Sequence, residues 1–157
     1  MPKLGQPKQL PLKLRAKTKR QVRSQFGALC YREVDGKVQV LLVTSRHRKR
    51  WILPKGWPED GQTPAETAAT EAWEEAGAKG KVFNRCIGAY GYVKQSGPLK
   101  GVPCVVMIYP LRVKSTKKDY PEREFRKRKW VSRKEAAARV DGKDLKALIK
   151  TFDPGIL

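Results

Sequence analysis

Glu71, Glu74 and Glu75 stand at spacings of three and four residues, within a stretch that carries no lysine or arginine to neutralise them. Side chains at those spacings share one face of a helix. Like charges placed so repel by a few tenths of a kcal/mol per pair, about 0.2 to 0.5. A hard divalent cation would relieve that repulsion, because Mg²⁺ is commonly held by a few carboxylates together with substrate phosphates. The chemistry these residues offer is therefore metal-assisted work on a phosphate group, set against a plain solvated acidic face.

The helix that must position them is well marked. Thr63 can cap its start, Pro64 suits its first turn, and Glu66 can close a capping box. Gly77 suits the left-handed residue that ends a helix. Ala65, Ala68, Ala69, Ala72, Trp73 and Ala76 recur at helical spacing, giving a stripe of mostly small side chains that lets the helix sit close to a sheet.

Strand-like runs surround it. Residues 25–32 and 38–44 read as a hairpin turned at Asp35-Gly36, and 51–53 as a short strand before Pro54. Residues 85–94 and 102–113 read as two more strands, and 129–132 as a last one. Ser132 is placed to cap a helix over 133–139, and Leu145, Leu148, Ile149 and Phe152 predict a final helix over 144–152.

Composition narrows the class. The 157 residues carry 35 Lys and Arg against 15 Asp and Glu, a net charge of +20 that favours polyanionic partners. Cys30, Cys86 and Cys104 are odd in number and lack metal-binding spacing, so they read as buried free thiols in a reducing compartment. No apolar run is long enough to span a bilayer, and a cytoplasmic location is expected. Residues 1–23 read as a basic arm, either a solvated tail or a segment that contacts nucleic acid or the sheet edge; residues 24–157 read as one domain.

The stretch from Gly56 through Gln62 to Ala78 resembles the Nudix box, G-x5-E-x7-R-E-U-x-E-E-x-G-U, with U usually bulky and aliphatic. Gly56, Glu71, Glu74, Glu75 and Gly77 match at the required spacings. Gln62 stands where the pattern has Glu, Thr70 where it has Arg, and Ala72 and Ala78 where it has larger apolar residues. The run from Arg50 to Gly56, and Glu124 with Arg128 to Val131, resemble the branch of diphosphoinositol and diadenosine polyphosphate hydrolases.

The resemblance implies an α/β/α sandwich with a mixed, partly curved sheet, the glutamate helix on one side and the C-terminal helix on the other. It implies Mg²⁺- or Mn²⁺-dependent hydrolysis of a pyrophosphate linkage in a polyanionic small molecule. Glu71 and Glu75 are then expected as metal ligands, with the Gly56 carbonyl and Gln62 as further candidates. Glu74 is expected as base or third ligand, its role exchangeable with that of Glu75, and Glu124 as a late ligand.

Arg46, Arg48, Arg50 and Lys55 form a basic cluster suited to clamping phosphates, with His47 among them. A second basic run, from Arg123 to Lys134, lines the same cleft or forms an exposed face. Trp57, Tyr90 and Tyr92 are candidates for stacking on a base or for packing. Two other readings stand beside this one. One is trimming of the 5′ end of RNA; the other is nucleic-acid binding without catalysis.

Overall fold

A computed structural model describes Pro11 and residues 23–157. The expected basic arm, Arg23 and Pro11 apart, lies outside the described residues. The sheet contains β1 (Ser24–Val34), β2 (Lys37–Thr44), β3 (Trp51–Ile52), β4 (Lys55–Gly56), β5 (Ala78–Val82), β6 (Gly88–Val93), β7 (Pro103–Thr116) and β8 (Arg128–Ser132). Three helices complete the domain: α1 (Pro64–Ala76), α2 (Arg133–Arg139) and α3 (Lys143–Thr151), followed by a 3-10 turn at Pro154–Ile156.

Strand order is β3-β2-β1-β7-β5, with β4 added to β1, β6 to β7 and β8 to β2. The sheet is mixed and open, because β1 runs parallel to β7 while the other pairs are antiparallel. Asp35 and Gly36 both take positive φ, as a tight two-residue hairpin turn demands.

The two faces of the sheet bury different partners, as alternation along a strand requires. Phe26, Ala28, Cys30, Leu41, Val43, Tyr109 and Leu111 pack against Ala65, Ala68, Ala72 and Ala76 of α1. Leu29, Tyr31, Val40, Leu42, Val106 and Ile108 pack on the opposite face against α2 and α3, through Ala136, Leu145 and Ile149 among others. The α/β/α layering expected from the sequence is the observed architecture.

The start of α1 is built as its sequence dictates. The Thr63 hydroxyl accepts from the Glu66 N–H at 3.1 Å, and the Glu66 carboxylate accepts from the Thr63 N–H at 2.9 Å. Gly77 closes the other end at φ 64°, with its N–H on the Ala72 and Trp73 carbonyls. The helix has no basic residue in its last turn, and β8 supplies one: Arg128 Nη1 donates to the Ala76 carbonyl at 2.7 Å. A cation there complements the negative end of the helix dipole.

Three local expectations are corrected. Trp73 is only half-buried, under Lys79 Nζ at 4.5 Å from the ring, and the buried side of α1 includes Thr67, Glu71 and Glu75 instead. Cys86 is exposed, while Cys30 and Cys104 are buried free thiols as expected. The strand expected over 85–94 is confined to Gly88–Val93. No helix among the described residues is long and apolar enough to cross a membrane.

Candidate active site

Glu71 and Glu75 are one helical turn apart on α1, and both are buried, at 9% and 4% exposure. Withdrawing a carboxylate from water costs several kcal/mol. That is about ten times the repulsion between exposed like charges at this spacing, so burial governs the site. Burial is accordingly the main force raising both carboxyls above the ordinary range. For Glu71 the charge of Glu75 adds to it, then a hydrogen bond between the two groups, then the charges of Glu74 and Glu122. For Glu75 the nearby Arg126 and Lys55 pull the other way.

The second oxygen, Glu75 Oε1, is buried without a hydrogen-bond partner among the described residues. Such a group is costly unless something else satisfies it. Gly56, in β4, completes the local geometry: a Cβ there would lie 2.2 Å from Glu71 Oε1. Only a glycine lets the backbone approach the carboxylate so closely. Gly56 itself is held by β1, opposite Phe26.

Glu74 is half-buried; its carbonyl accepts from the Glu122 N–H at 2.9 Å and its charge reaches Glu71. Among the described residues, no three His, Cys, Asp or Glu side chains already form a metal-binding group. Glu124 points outward, its side chain 75% exposed beside Arg123. Glu122, two residues earlier, is the late carboxylate whose charge reaches Glu71 and Glu75. Sequence reading missed it, and its signal was the spacing to Arg126: four residues, the ion-pair interval, at 3.1 Å.

The two box departures sit together. Gln62 Nε2 donates to Thr70 Oγ1 at 3.2 Å, and Gln62 Oε1 accepts from Thr67 at 3.1 Å. A neutral hydrogen-bonded pair occupies the two places where the resemblance has opposite charges.

A cleft of about 850 Å³ adjoins this site. Arg46, Arg48, Arg50, Lys55, Lys94 and Arg126 line it, and Asp141 is its one acid among the described residues. The loop between β2 and β3 fans the arginines outward through a tight turn: Ser45 N–H donates to the Arg50 carbonyl at 2.7 Å, and Lys49 takes φ 54°. Arg46 lies over the Phe125 ring at 4.2 Å, and Arg50 pairs with Asp141 at 3.1 Å in an exposed contact of little energetic worth.

Lys55 links cleft and carboxylates. Burial lowers its pKa, Glu75 opposes that shift, and its Nζ sits 4.7 Å from the centre of the Tyr92 ring. His47 and Trp57 also line the cleft, with Lys94 Nζ 5.8 Å from the Trp57 ring. Tyr90 is a core residue, while Tyr92 donates to Gln25 Oε1 at 2.5 Å. The second basic run divides: Arg126 turns inward, Arg128 caps α1, and Lys127 and Lys129 are exposed.

The NUDIX domain family model matches residues 22–152. The chain belongs to that family. It is 34% identical to Nudix hydrolase 13, mitochondrial, of Arabidopsis thaliana over 109 residues, which is 66% of this chain and 54% of that protein. It is 35% identical to diphosphoinositol polyphosphate phosphohydrolase 2 of Rattus norvegicus over 68 residues, 43% of this chain and 37% of that one. The chain spans about half the length of the curated relatives it matches first. Among solved structures, a C. elegans Ap4A hydrolase binary complex superposes with a TM-score of 0.66 at 23% identity, over 82% of this chain and 93% of that one. That likeness bears on the fold.

Proposed function

We propose that this Nudix chain hydrolyses a pyrophosphate linkage in a highly phosphorylated small molecule, with Mg²⁺ or Mn²⁺ as cofactor. The observation that carries the reading is the buried Glu71 and Glu75 pair, one oxygen of it unpartnered, beside a cleft walled by cations. Glu71 and Glu75 would hold the cation, with the Gly56 carbonyl as a further donor. All three offer the hard oxygen ligands that Mg²⁺ and Mn²⁺ prefer. The fit rests on Glu75 Oε1, which lacks a partner, and on the absence of a side chain at Gly56.

A cation bound there would supply neutralisation of phosphate charge and activation of water. The protein's own groups do the rest. Arg46, Arg48, Arg50 and Lys55 bind phosphate oxygens and orient the chain of phosphates, and Glu74 serves as the base toward the attacking water or as a third ligand, its role exchangeable with that of Glu75. Six Lys and Arg side chains around one acid exceed what a single diphosphate needs. That excess favours substrates such as diphosphoinositol polyphosphates, the compounds in the name of one similar protein, or diadenosine polyphosphates.

The test is turnover of a panel of pyrophosphate compounds with Mg²⁺ or Mn²⁺ by the parent and by Glu75→Gln. Loss of about 10³-fold in kcat with the fold retained supports the reading. Equal turnover by both proteins removes it.

A further inference from the structure

The inference rests on the reading just given and concerns what holds Glu75 in place. Arg126, in the segment leading to β8, is nearly buried, with 11% of its side chain exposed, and it spends its guanidinium in three directions. Nη1 donates to the Thr44 carbonyl at 3.0 Å, Nε donates to Glu122 Oε1 at 3.1 Å, and Nη2 lies 3.6 Å from Glu75 Oε2. Each anchor is itself fixed. Thr44, the last residue of β2, exchanges bonds with Lys127: its N–H donates to the Lys127 carbonyl at 3.0 Å, and its Oγ1 accepts from the Lys127 N–H at 2.9 Å. Glu122 is tied to α1 through its N–H on the Glu74 carbonyl.

We propose that Arg126 is the positioning residue of the carboxylate pair: braced on the sheet by Thr44 and on the β7–β8 connection by Glu122, its fork fixes Glu75 Oε2 and leaves Oε1 free to take a cation. The residue at the helix position next to Glu71, Thr70, carries no charge and is engaged with Gln62 and the Glu66 carbonyl, so the helix supplies no such cation itself. Lys55 acts on Glu75 as a point charge, whereas a planar guanidinium with donors in fixed directions can set orientation as well as charge. An ammonium also has three donors, but they radiate from one freely rotating nitrogen, whereas the guanidinium holds Nε, Nη1 and Nη2 apart in a single plane, one toward each anchor.

Arg126 also lines the cleft, so the competing role is direct contact with substrate phosphate. The experiment separates the two. Parent, Arg126→Lys, Arg126→Met and Glu122→Gln are compared at saturating Mn²⁺ for kcat and KM on whichever diphosphate the parent turns over. Binding of methylenebisphosphonate, a diphosphate that cannot be hydrolysed, is measured by calorimetry alongside, and melting temperatures record folding.

A positioning role predicts that Arg126→Lys and Arg126→Met both lose about 10²-fold in kcat, the scale of an ångström of misplacement. KM and bisphosphonate affinity should stay within about threefold, since ground-state binding is not what the fork provides. Glu122→Gln, which leaves the Arg126 charge in place but weakens its brace, should lose about tenfold in kcat at unchanged KM. It keeps the inference testable if the Arg126 variants misfold.

The proposal is overturned if Arg126→Lys keeps the parent's kcat, if the losses fall in KM and bisphosphonate binding, or if Glu122→Gln matches the parent. A parent that turns over no diphosphate sinks the functional reading instead. A parent that does, with a fully active Arg126→Lys, sinks only this one.

Discussion

Replacing Gly56 by alanine adds one methyl group at the point where the backbone of β4 meets Glu71. The new Cβ would lie 2.2 Å from both Glu71 Cδ and Oε1 and 2.7 Å from Oε2, where ordinary contact begins near 3.4 Å. One side must move by more than an ångström. Gly56 is hydrogen-bonded into the sheet against Phe26, and its φ is outside the left-handed range, so the backbone has no strain to release and little freedom to yield. Glu71 is the group that gives: its carboxylate is the far end of a flexible side chain, 9% exposed, and turning aside takes it off the position it holds against β4.

Overpacking of this kind costs about 1 to 3 kcal/mol. Displacing the carboxylate proposed to hold the cation by that much should cost about 10²-fold in rate. The assay pairs urea denaturation with kcat in Mn²⁺, and Gly61→Ala serves as control. Gly61 has φ 80° and no atom within 4 Å of an added Cβ, so alanine there should cost about 1 kcal/mol of backbone strain and leave kcat within about twofold. If Gly56→Ala matches the parent in both stability and rate, the close approach of Glu71 to this strand, and the site built on it, is wrong.

Further outcomes follow from the same geometry. Because the folded state raises the Glu71 carboxyl above its ordinary value of 4.5, folding takes up a proton there; that stabilisation is complete at low pH and is lost as pH climbs through the raised value. The metal-free protein should therefore melt lower at about pH 8 than at about pH 5.5, and Glu71→Gln should flatten the slope; a parent profile already flat across that window contradicts the burial argument. Arg128→Ala, which removes the cation at the C-terminus of α1, should cost about 1 to 2 kcal/mol in urea denaturation, and a change below about 0.3 would show that the 2.7 Å bond to Ala76 contributes nothing.

Much of this was legible because it is local. Thr63, Pro64 and Glu66 mark the start of α1 and Gly77 its end, each through contacts within four or five residues, and Ser132 caps α2 through the Glu135 N–H as its position predicts. What escaped depends on distance along the chain. Ala78–Val82 is a strand only because β7 pairs with it; Ala-Lys-Gly-Lys-Val by itself has the composition of a loop. The parallel pairing of β1 with β7 joins residues some 80 apart, such as Phe26 and Met107, and no local pattern encodes it.

The site divides in the same way. Spacing placed Glu71 and Glu75 on one turn, but their burial depends on β4 and the segment before β8 closing over them. Trp73 was expected in the buried stripe because it is apolar, yet those surroundings bury Glu71 and Glu75 and leave Trp73 half-covered. Gln62 and Thr70, eight residues apart, look like separate losses in the sequence and form one hydrogen-bonded pair in space.

The central claim is that Glu71 and Glu75 gather a divalent cation against a bridging diphosphate. A crystal grown with Mn²⁺ and methylenebisphosphonate, with anomalous scattering recorded at the manganese edge, addresses it directly. The expected result is an anomalous peak about 2 Å from carboxylate oxygens of both residues, with bisphosphonate oxygens completing its shell. Manganese bound elsewhere, with the two carboxyls still hydrogen-bonded to each other, would contradict it.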